Sequence, residues 1–356
     1  MKNKQPPQKG KRLESKKTGR SPEAEPAGTA VTPVVKIEEV ARIAGVSMAT
    51  VSRVFNHHPN IRPELRRRVL SVAREHGYIP RLSLKQKNVV VITPYHPVWP
   101  AHSCVDMILM ALTQEMPRRG FRLEILPADN RDRLDDIQFC AAVAIGAEPS
   151  AFAGWSDRFP VPLVILDRDG DATPPHVCHI CSDEAQGMEL AIGHLHERGC
   201  RKIGCIIHGE PGTGNADRRH TAIMRALKSR KLPCDESLIL FSGRGSEKYV
   251  ELIGKLLKRG VDALFCPGGN AGLIALYAFS LYNRRAPDDI SVIASEQSSF
   301  SAYTVPPLTT ITPDYQAMAA ATADVIEAHL LGRPPTGHTV LPYGLIQRES
   351  VSLPAR

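Results

Sequence analysis

From Asn88 onward the chain alternates short apolar runs with stretches of helical period, and it does so twice. The first set comprises VVVIT, FRLEIL, CAAVAIG, PLVILD and KIGCII, with helical stretches from Ser103 to Arg119 and from Glu184 to Arg198. The second begins with a helix from Arg218 to Lys231. It continues through SLILFS, a helix from Glu247 to Arg259, DALFCPG, a helix ending at Asn283, and ISVIAS. Apolar runs this short, separated by amphipathic helices, are the signature of βαβ units and parallel sheets. The expected core is therefore α/β, with two Rossmann-like parallel-sheet lobes over residues 89–356. A chain of 356 residues with 42% hydrophobic content can bury such a core and still carry a further unit. In open α/β sheets ligands bind beyond the carboxyl ends of the strands, so a cleft lined by the segments after them is expected. The first such segment, Tyr95 to Ser103, holds Tyr95, His96, Trp99 and His102. Tyr95 and Trp99 are candidates for stacking on a ring-shaped ligand, with core packing an equal alternative for Trp99.

The stretch before the core has a different character. In VKIEEVARIAGVSMATVSRVFN, Ile37, Val40, Ala41 and Ala44 recur at helical spacing, and Gly45 suits the left-handed backbone of a sharp turn. Ser47 is placed to cap a second helix from Met48 to Asn56, which turns Val51 and Val54 or Phe55 inward. That leaves Met48, Ala49, Thr50, Ser52, Arg53 and Asn56 partly outward, a face that fits a major groove. Met48 and Ala49 lie in the first turn, where base edges are met, and Arg53 carries a guanidinium able to chelate guanine. Thr50, Ser52 and Asn56 suit phosphate contacts. A third helix follows Pro63, with Leu65, Val69, Val72 and Ala73 on one face and Arg66, Arg67 and Arg68 outward; Tyr78-Ile79-Pro80 closes the module. The expectation is an all-α helix-turn-helix unit over 35–80.

The charge distribution points the same way. Residues 1–87 hold 19 Lys and Arg against 7 Asp and Glu, leaving 26 against 30 for the rest of the chain. A basic module on a slightly acidic body suits a local attraction to a phosphate backbone, so double-stranded DNA is the partner to test first. Residues 1–34 are rich in Lys, Pro, Gly and Glu and are expected to be a disordered basic tail; 81–88 are expected to be a short linker or hinge. The polar start MKNKQPPQKGKRLESKKTGR does not look like a secretory signal, and no apolar run reaches the roughly 18 residues of a membrane span, so a cytoplasmic protein with no membrane partner is expected. Eight scattered cysteines read as reduced thiols.

EEVARIAGVSMATVSRVFN followed by a helix and GYIP resembles the headpiece of the lactose and galactose repressor family (LacI/GalR), nearly without gaps from Val35 to Pro80. VCHICSDEAQGMELAIGHLHERGCRKIGCI, ADRRHTAIMRALKSRKLP, APDDISVIASE, PLTTI and LIQRES extend the likeness across the core, whose architecture is then similar to periplasmic sugar-binding proteins. The resemblance implies a sequence-specific DNA-binding transcriptional regulator, a repressor in the first instance. It also implies a homodimer and a small effector, a sugar or related metabolite, in the interlobe cleft. It matches Met48, Ala49 and Arg53 to base-reading positions, Ser47, Thr50, Ser52 and Asn56 to backbone contacts, and Tyr78 to the DNA-facing end of the module. Arg219 falls where an effector-gripping arginine stands, with a structural ion pair as the other reading, and Glu296 where an aspartate is usual. The lobes are expected to cross near Ser182, Ala294 and Thr312, giving lobe 1 about 89–181 and 295–311 and lobe 2 about 182–294 and 312–356. Two departures stand out. Lys87 falls where a hinge-helix leucine is usual, leaving Leu82 or Leu84 as substitutes. Pro267-Gly268-Gly269-Asn270 replaces an Asn-Asp pair, leaving Asn270 to compensate in part.

Catalytic readings fail on geometry. Cys178-His179-Ile180-Cys181 would chelate poorly, because residues three apart on a strand face opposite sides. Gly209 to Gly214 lacks the Lys-Ser/Thr ending of a phosphate loop and reads as a flexible cleft loop. No nucleophile elbow or zinc-helix motif occurs, so neither an enzyme nor a cofactor or metal is expected. The alternatives are a small-molecule binding protein with a vestigial headpiece, or an effector-independent regulator. No C-terminal heptad run points to tetramers.

Overall fold

A computed structural model describes residues 36–352 apart from 57, 59, 77, 79–86, 95–103, 138, 160, 169–175, 244–247, 269, 296–298 and 334–336. The expected tail over 1–34 and the possible wedges Leu82 and Leu84 lie outside those residues.

The N-terminal unit is built from α1 (Ile37–Ile43), α2 (Met48–Phe55) and α3 (Pro63–Glu75). Val40, Ala41 and Ala44 meet Val51 and Val54 of α2 and Val69 and Ala73 of α3 in one buried cluster. Seven small and β-branched side chains make a thin core, and its geometry depends on the turn between α1 and α2. Gly45 provides that turn at φ +63°, a conformation that a Cβ would strain. The amide of Val46 then donates back to the Ala41 carbonyl at 2.9 Å, closing the helix end. Asn56 is the residue after α2 and not its last turn.

The core contains two six-stranded sheets. The first has the order β11-β5-β4-β3-β1-β2, where β1 is Asn88–Thr93, β2 Arg122–Pro127, β3 Ala141–Ile145, β4 Leu163–Leu166, β5 Val177–Ser182 and β11 His338–Leu341. Its pairings are all parallel. Strands β3, β4 and β5 are buried at every position, as expected of strands covered on both faces. The second sheet has the order β12-β10-β9-β8-β6-β7. Here β6 is Ile203–Ile207, β7 Ile239–Phe241, β8 Ala263–Cys266, β9 Ser291–Ser295, β10 Thr309–Pro313 and β12 Tyr343–Ile346. Only the β10–β12 pairing is antiparallel.

The lobe boundaries differ from those expected in two respects: the crossing near Ala294 is absent, and a crossing between Leu341 and Tyr343 is added. Residues 309–313 do not return to the first lobe, because β10 runs parallel to β9, with Thr310 beside Ala294 and Ile311 beside Ser295. The returning segment is α10 (Tyr315–Leu330) with β11. Met318, Ala319, Ala323 and Ile326 of α10 share a buried cluster with Ile108 and Leu112 of α4 (Cys104–Arg118). Burying side chains of this kind contributes about 1.5–3 kcal/mol each for the larger ones, which fixes α10 on the first lobe. The chain therefore crosses after Ser182, after Pro313 and between Leu341 and Tyr343, and not near Ala294.

Lys87 does not project as a wedge. Its ammonium lies 5.8 Å from the centre of the Phe121 ring at the base of the first lobe.

Candidate functional site

The exposed face of α2 is set by its cap and its core. The hydroxyl of Ser47 accepts from the Thr50 amide at 3.1 Å and lies 2.9 Å from the Thr50 hydroxyl, which fixes the first turn. With Val51 and Val54 buried, Met48, Ala49 and Arg53 are all exposed, Met48 by 50%. Thr50, Ser52 and Asn56 are half-buried. The Asn56 side-chain amide donates to Ser52 at 3.2 Å, and its carbonyl oxygen is shielded without a partner. Tyr78 packs on Phe55, ring centres 5.4 Å apart, and its amide donates to the Ala73 carbonyl at 2.8 Å. Burial and the charge of Glu38 push its phenol upward from the usual value. Arg66 differs from its expected outward position: it is half-buried and donates to the His58 carbonyl at 3.0 Å. Arg67 and Arg68 are exposed.

A cavity of about 560 Å³ opens where the two lobes meet. Asp167 and His338 line it from the first lobe, and Glu184, Asn215, Arg218 and Arg225 from the second. Asp167 follows β4, Glu184 opens α6 (Glu184–Glu197), and the other second-lobe residues lie on α7 (Gly214–Ser229). The latter begins four residues before the expected start at Arg218. The loop before it is pinned and not loose: the Gly212 amide donates to Asp217 at 3.0 Å, and Thr213 to the Glu210 carbonyl at 2.6 Å.

Arg219 has a partner within the chain. Its Nε and Nη2 donate to Glu184 Oε2 and Oε1 at 2.8 and 2.6 Å, and both side chains are only 13% exposed. The Tyr343 hydroxyl adds a third hydrogen bond to the same carboxylate at 3.2 Å. Burial alone would raise the Glu184 carboxyl; the charge and hydrogen bonds of Arg219 outweigh it and hold Glu184 below the usual range. A Cβ on Gly268, at φ +82°, would stand 2.5 Å from Nη1 of Arg219. That glycine, one of the departures from the family pattern, is what lets the guanidinium lie where it does.

Around the pair, Asp167 is pushed upward by burial and by the charge of Glu184, and Cys104 donates to it at 3.7 Å. The Cys104 thiol is itself pushed up to about 12 by burial and the Asp167 charge. His208 is driven down to about 4 by burial and by Arg219 and Arg168, so its ring is neutral at physiological pH; Nδ1 lies 2.8 Å from the Tyr249 hydroxyl. Asn270 is half-buried just before α9 (Ala271–Leu281), and its side-chain oxygen is shielded without a hydrogen-bond partner. Of the expected effector residues, Arg219 and Asn270 fall among the described residues, and neither is among the side chains that line the cavity. Tyr95, Trp99 and Glu296 lie outside the described residues. Asp183 caps α6, accepting from the Gln186 amide at 2.9 Å, and the sequence pattern did not single out Asp167 or Glu184. The signal available was local: each is an acid at the end of a buried strand.

Asp167 sits at φ +59°, a region asparagine also tolerates. A carboxyl whose folded value is raised opposes folding above its ordinary value, so Asp167→Asn is expected to be more stable than the parent at pH 7. The difference should shrink toward pH 4. Urea midpoints at the two pH values check this; an unchanged difference would assign the effect to packing.

In the Cys178–Cys181 strand, Cys178 is buried and its thiol is pushed to about 11 by burial. Cys181 faces the Arg168 carbonyl and His338, at 3.4 and 3.6 Å. Among the described residues no group of three or more His, Cys, Asp or Glu side chains is arranged to hold a metal ion, and no helix is long and apolar enough to cross a membrane.

Residues 36–81 match the lacI family of bacterial regulatory proteins, and residues 192–351 match the periplasmic binding protein-like domain. The HTH-type transcriptional regulator DegA of Bacillus subtilis (strain 168) is 27% identical over 342 residues, covering 89% of this chain and 98% of that protein. The HTH-type transcriptional repressor PurR of Aliivibrio salmonicida is 27% identical over 296 residues, covering 77% and 86%. Among solved structures, the transcriptional regulator CelR–cellobiose complex superposes with a TM-score of 0.65 at 24% identity, covering 89% of this chain and 99% of that one. The lac repressor dimer bound to operator and the anti-inducer ONPF gives 0.63 at 21%, covering 90% and 99%. At these identities the two structures establish the shared fold.

Proposed function

Because the chain belongs to the lactose/galactose repressor family and is a DNA-binding transcriptional regulator, we propose that it reads its operator with Met48, Ala49 and Arg53 and responds to a small polar ligand held between its lobes. The observation that carries this reading is the two-faced α2. One face buries Val51 and Val54, and the other offers a thioether and a methyl from a capped first turn and a guanidinium from the last turn. Those groups suit a thymine methyl and the O6 and N7 of guanine, while Ser47, Thr50, Ser52, Asn56 and Tyr78 lie at the edges of that face for backbone contacts. The effector contacts we assign are Asp167 and Asn215, which line the cavity, together with Arg219 and Asn270; Tyr95, Trp99 and Glu296 stay candidates from the sequence. A sugar or related metabolite suits a cleft of this size and polarity. Ligand binding shifts lobe closure, and with it the spacing of two headpieces in a dimer. Such a regulator works in the cytoplasm, where its DNA lies.

The test is selection of bound sequences from a random duplex pool, followed by gel-shift titration at fixed salt. Arg53→Ala is expected to lose about 1–3 kcal/mol on the selected site, roughly tenfold to 150-fold, with nonspecific binding unchanged. Undiminished preference for the selected site would remove Arg53 from base readout.

A further inference from the structure

All eight cysteines carry thiols, none of them in a disulfide. Burial pushes six upward from the ordinary thiol value, those of Cys104, Cys140, Cys178, Cys200, Cys205 and Cys266, which keeps them protonated and slow as nucleophiles. Cys234 is exposed and donates to the Leu232 carbonyl at 3.5 Å. Cys181 is set apart by its position. It is 7% exposed and lines the cavity between the lobes, as does the exposed His338 of the neighbouring strand β11. The sulfur lies 3.6 Å from Nε2 of His338 and 3.4 Å from the Arg168 carbonyl, so a base stands within reach of the thiol proton. Ser182, the next residue, lines the same cavity; it is 7% exposed, and its hydroxyl is shielded without a hydrogen-bond partner. A buried donor left unspent in a cavity wall points to a group that enters the cavity. Arg218 and Arg225 stand in that wall and favour an anionic sulfur. The acids beside them are committed within the chain: Glu184 to Arg219, Asp183 to the Gln186 amide, Asp217 to the Gly212 amide, while Asp167, pushed upward by burial, accepts from Cys104.

We propose that Cys181 is an oxidation site for small hydroperoxides entering the cavity, with His338 as its base and Ser182 as the donor to the departing oxygen. Nε2 of His338 takes the thiol proton. The sulfur attacks one oxygen of hydrogen peroxide, the S–O bond forms as the O–O bond breaks, and the departing hydroxide recovers the proton and leaves as water. Sulfur gives up two electrons to the peroxide, and a sulfenic acid remains on Cys181. The chain crosses between lobes directly after Ser182, so the added oxygen stands where the lobes join. The proposal is independent of the operator and effector assignments above.

The test treats the full-length reduced protein with dilute hydrogen peroxide in the presence of dimedone, which traps sulfenic acids, and follows the labelled peptides by mass spectrometry. Cys234 is the reference thiol in the same chain. Cys181 is expected to label at least about tenfold faster than Cys234 although it is far less exposed. His338→Gln should slow Cys181 by about tenfold or more and leave Cys234 unchanged, and Ser182→Ala should slow Cys181 by a smaller factor. A Cys181 rate equal to or below that of Cys234 would overturn the proposal, as would a folded His338→Gln protein with the ratio of the two rates unaltered. Thermal melting checks that the variants fold; if His338→Gln does not, the wild-type ratio decides alone. No step uses DNA or an effector, so a failed operator selection and a failed oxidation result are separate outcomes.

Discussion

Arg219→Met is expected to destabilise the second lobe by about 3–5 kcal/mol at neutral pH, the cost of leaving the buried Glu184 carboxylate without its counter-charge. The pair is sheltered on both sides, so solvent cannot take over the role of the guanidinium. The pH dependence identifies the cause. In the parent, Glu184 is held below the ordinary glutamate value of 4.5. The contribution of the pair is therefore fully present above that value and is lost as acid carries the pH down through the depressed one. In the variant the Arg219 charge and hydrogen bonds are gone, burial dominates, and the carboxyl moves upward. Protonation then relieves the strain, so the gap between variant and parent should narrow from pH 7 to pH 5 in urea unfolding. A gap equal at both pH values would point to lost packing around the guanidinium. Replacing both partners, as Glu184→Leu with Arg219→Met, should recover most of the stability, since no unpaired charge remains.

Leu281→Asp combined with Val305→Asp is expected to convert a dimer to monomers and to lower operator affinity by about 10²–10⁴-fold, the avidity lost when two half-sites are no longer read together. The reason lies on the surface of the second lobe. Tyr277 and Leu281 of α9 are 60% and 56% exposed, and the turn that follows β9 leaves Phe300, Tyr303 and Val305 at 52%, 81% and 92%. Both segments are anchored by one buried cluster, which joins Ala271 and Ala275 of α9 to Leu308. An apolar concentration of this kind suits an interface, and the occupant expected here is a second copy of the chain, because helix-turn-helix proteins that act as dimers read paired half-sites. Sedimentation of the variant and gel shifts against whole and half operators check the two parts. A variant that sediments as the parent does would place the interface elsewhere.

Much of the N-terminal unit was legible because its determinants are local. Ser47, Gly45 and the spacing of Val40, Val51 and Val54 specify cap, turn and core within twenty residues, and α1 and α2 appear where those signals lie. The strand and helix rhythm of the core up to β9 was legible for the same reason, to within a few residues; the start of α7 at Gly214 came from a turn pinned by Asp217 that composition alone read as loose, and α10, β11 and β12 were not among the expected elements. The site was less so. The partner of Arg219 is 35 positions away, Tyr343 is a further 159 from Glu184, and the value of Gly268 is the absence of an atom beside a guanidinium from another helix.

Hydrophobic period, capping residues and charge placement, all carried by short windows of chain, determined that this protein has a helical DNA-facing module and a twofold α/β core. Only the tertiary structure decided that 309–313 joins the second sheet while 315–341 returns to the first, and that Arg219 already holds a carboxylate. Sheet membership is chosen by backbone hydrogen bonds between strands, and an ion pair by the meeting of two helices in space. Those choices are made between segments far apart along the chain, where periodicity has nothing to say.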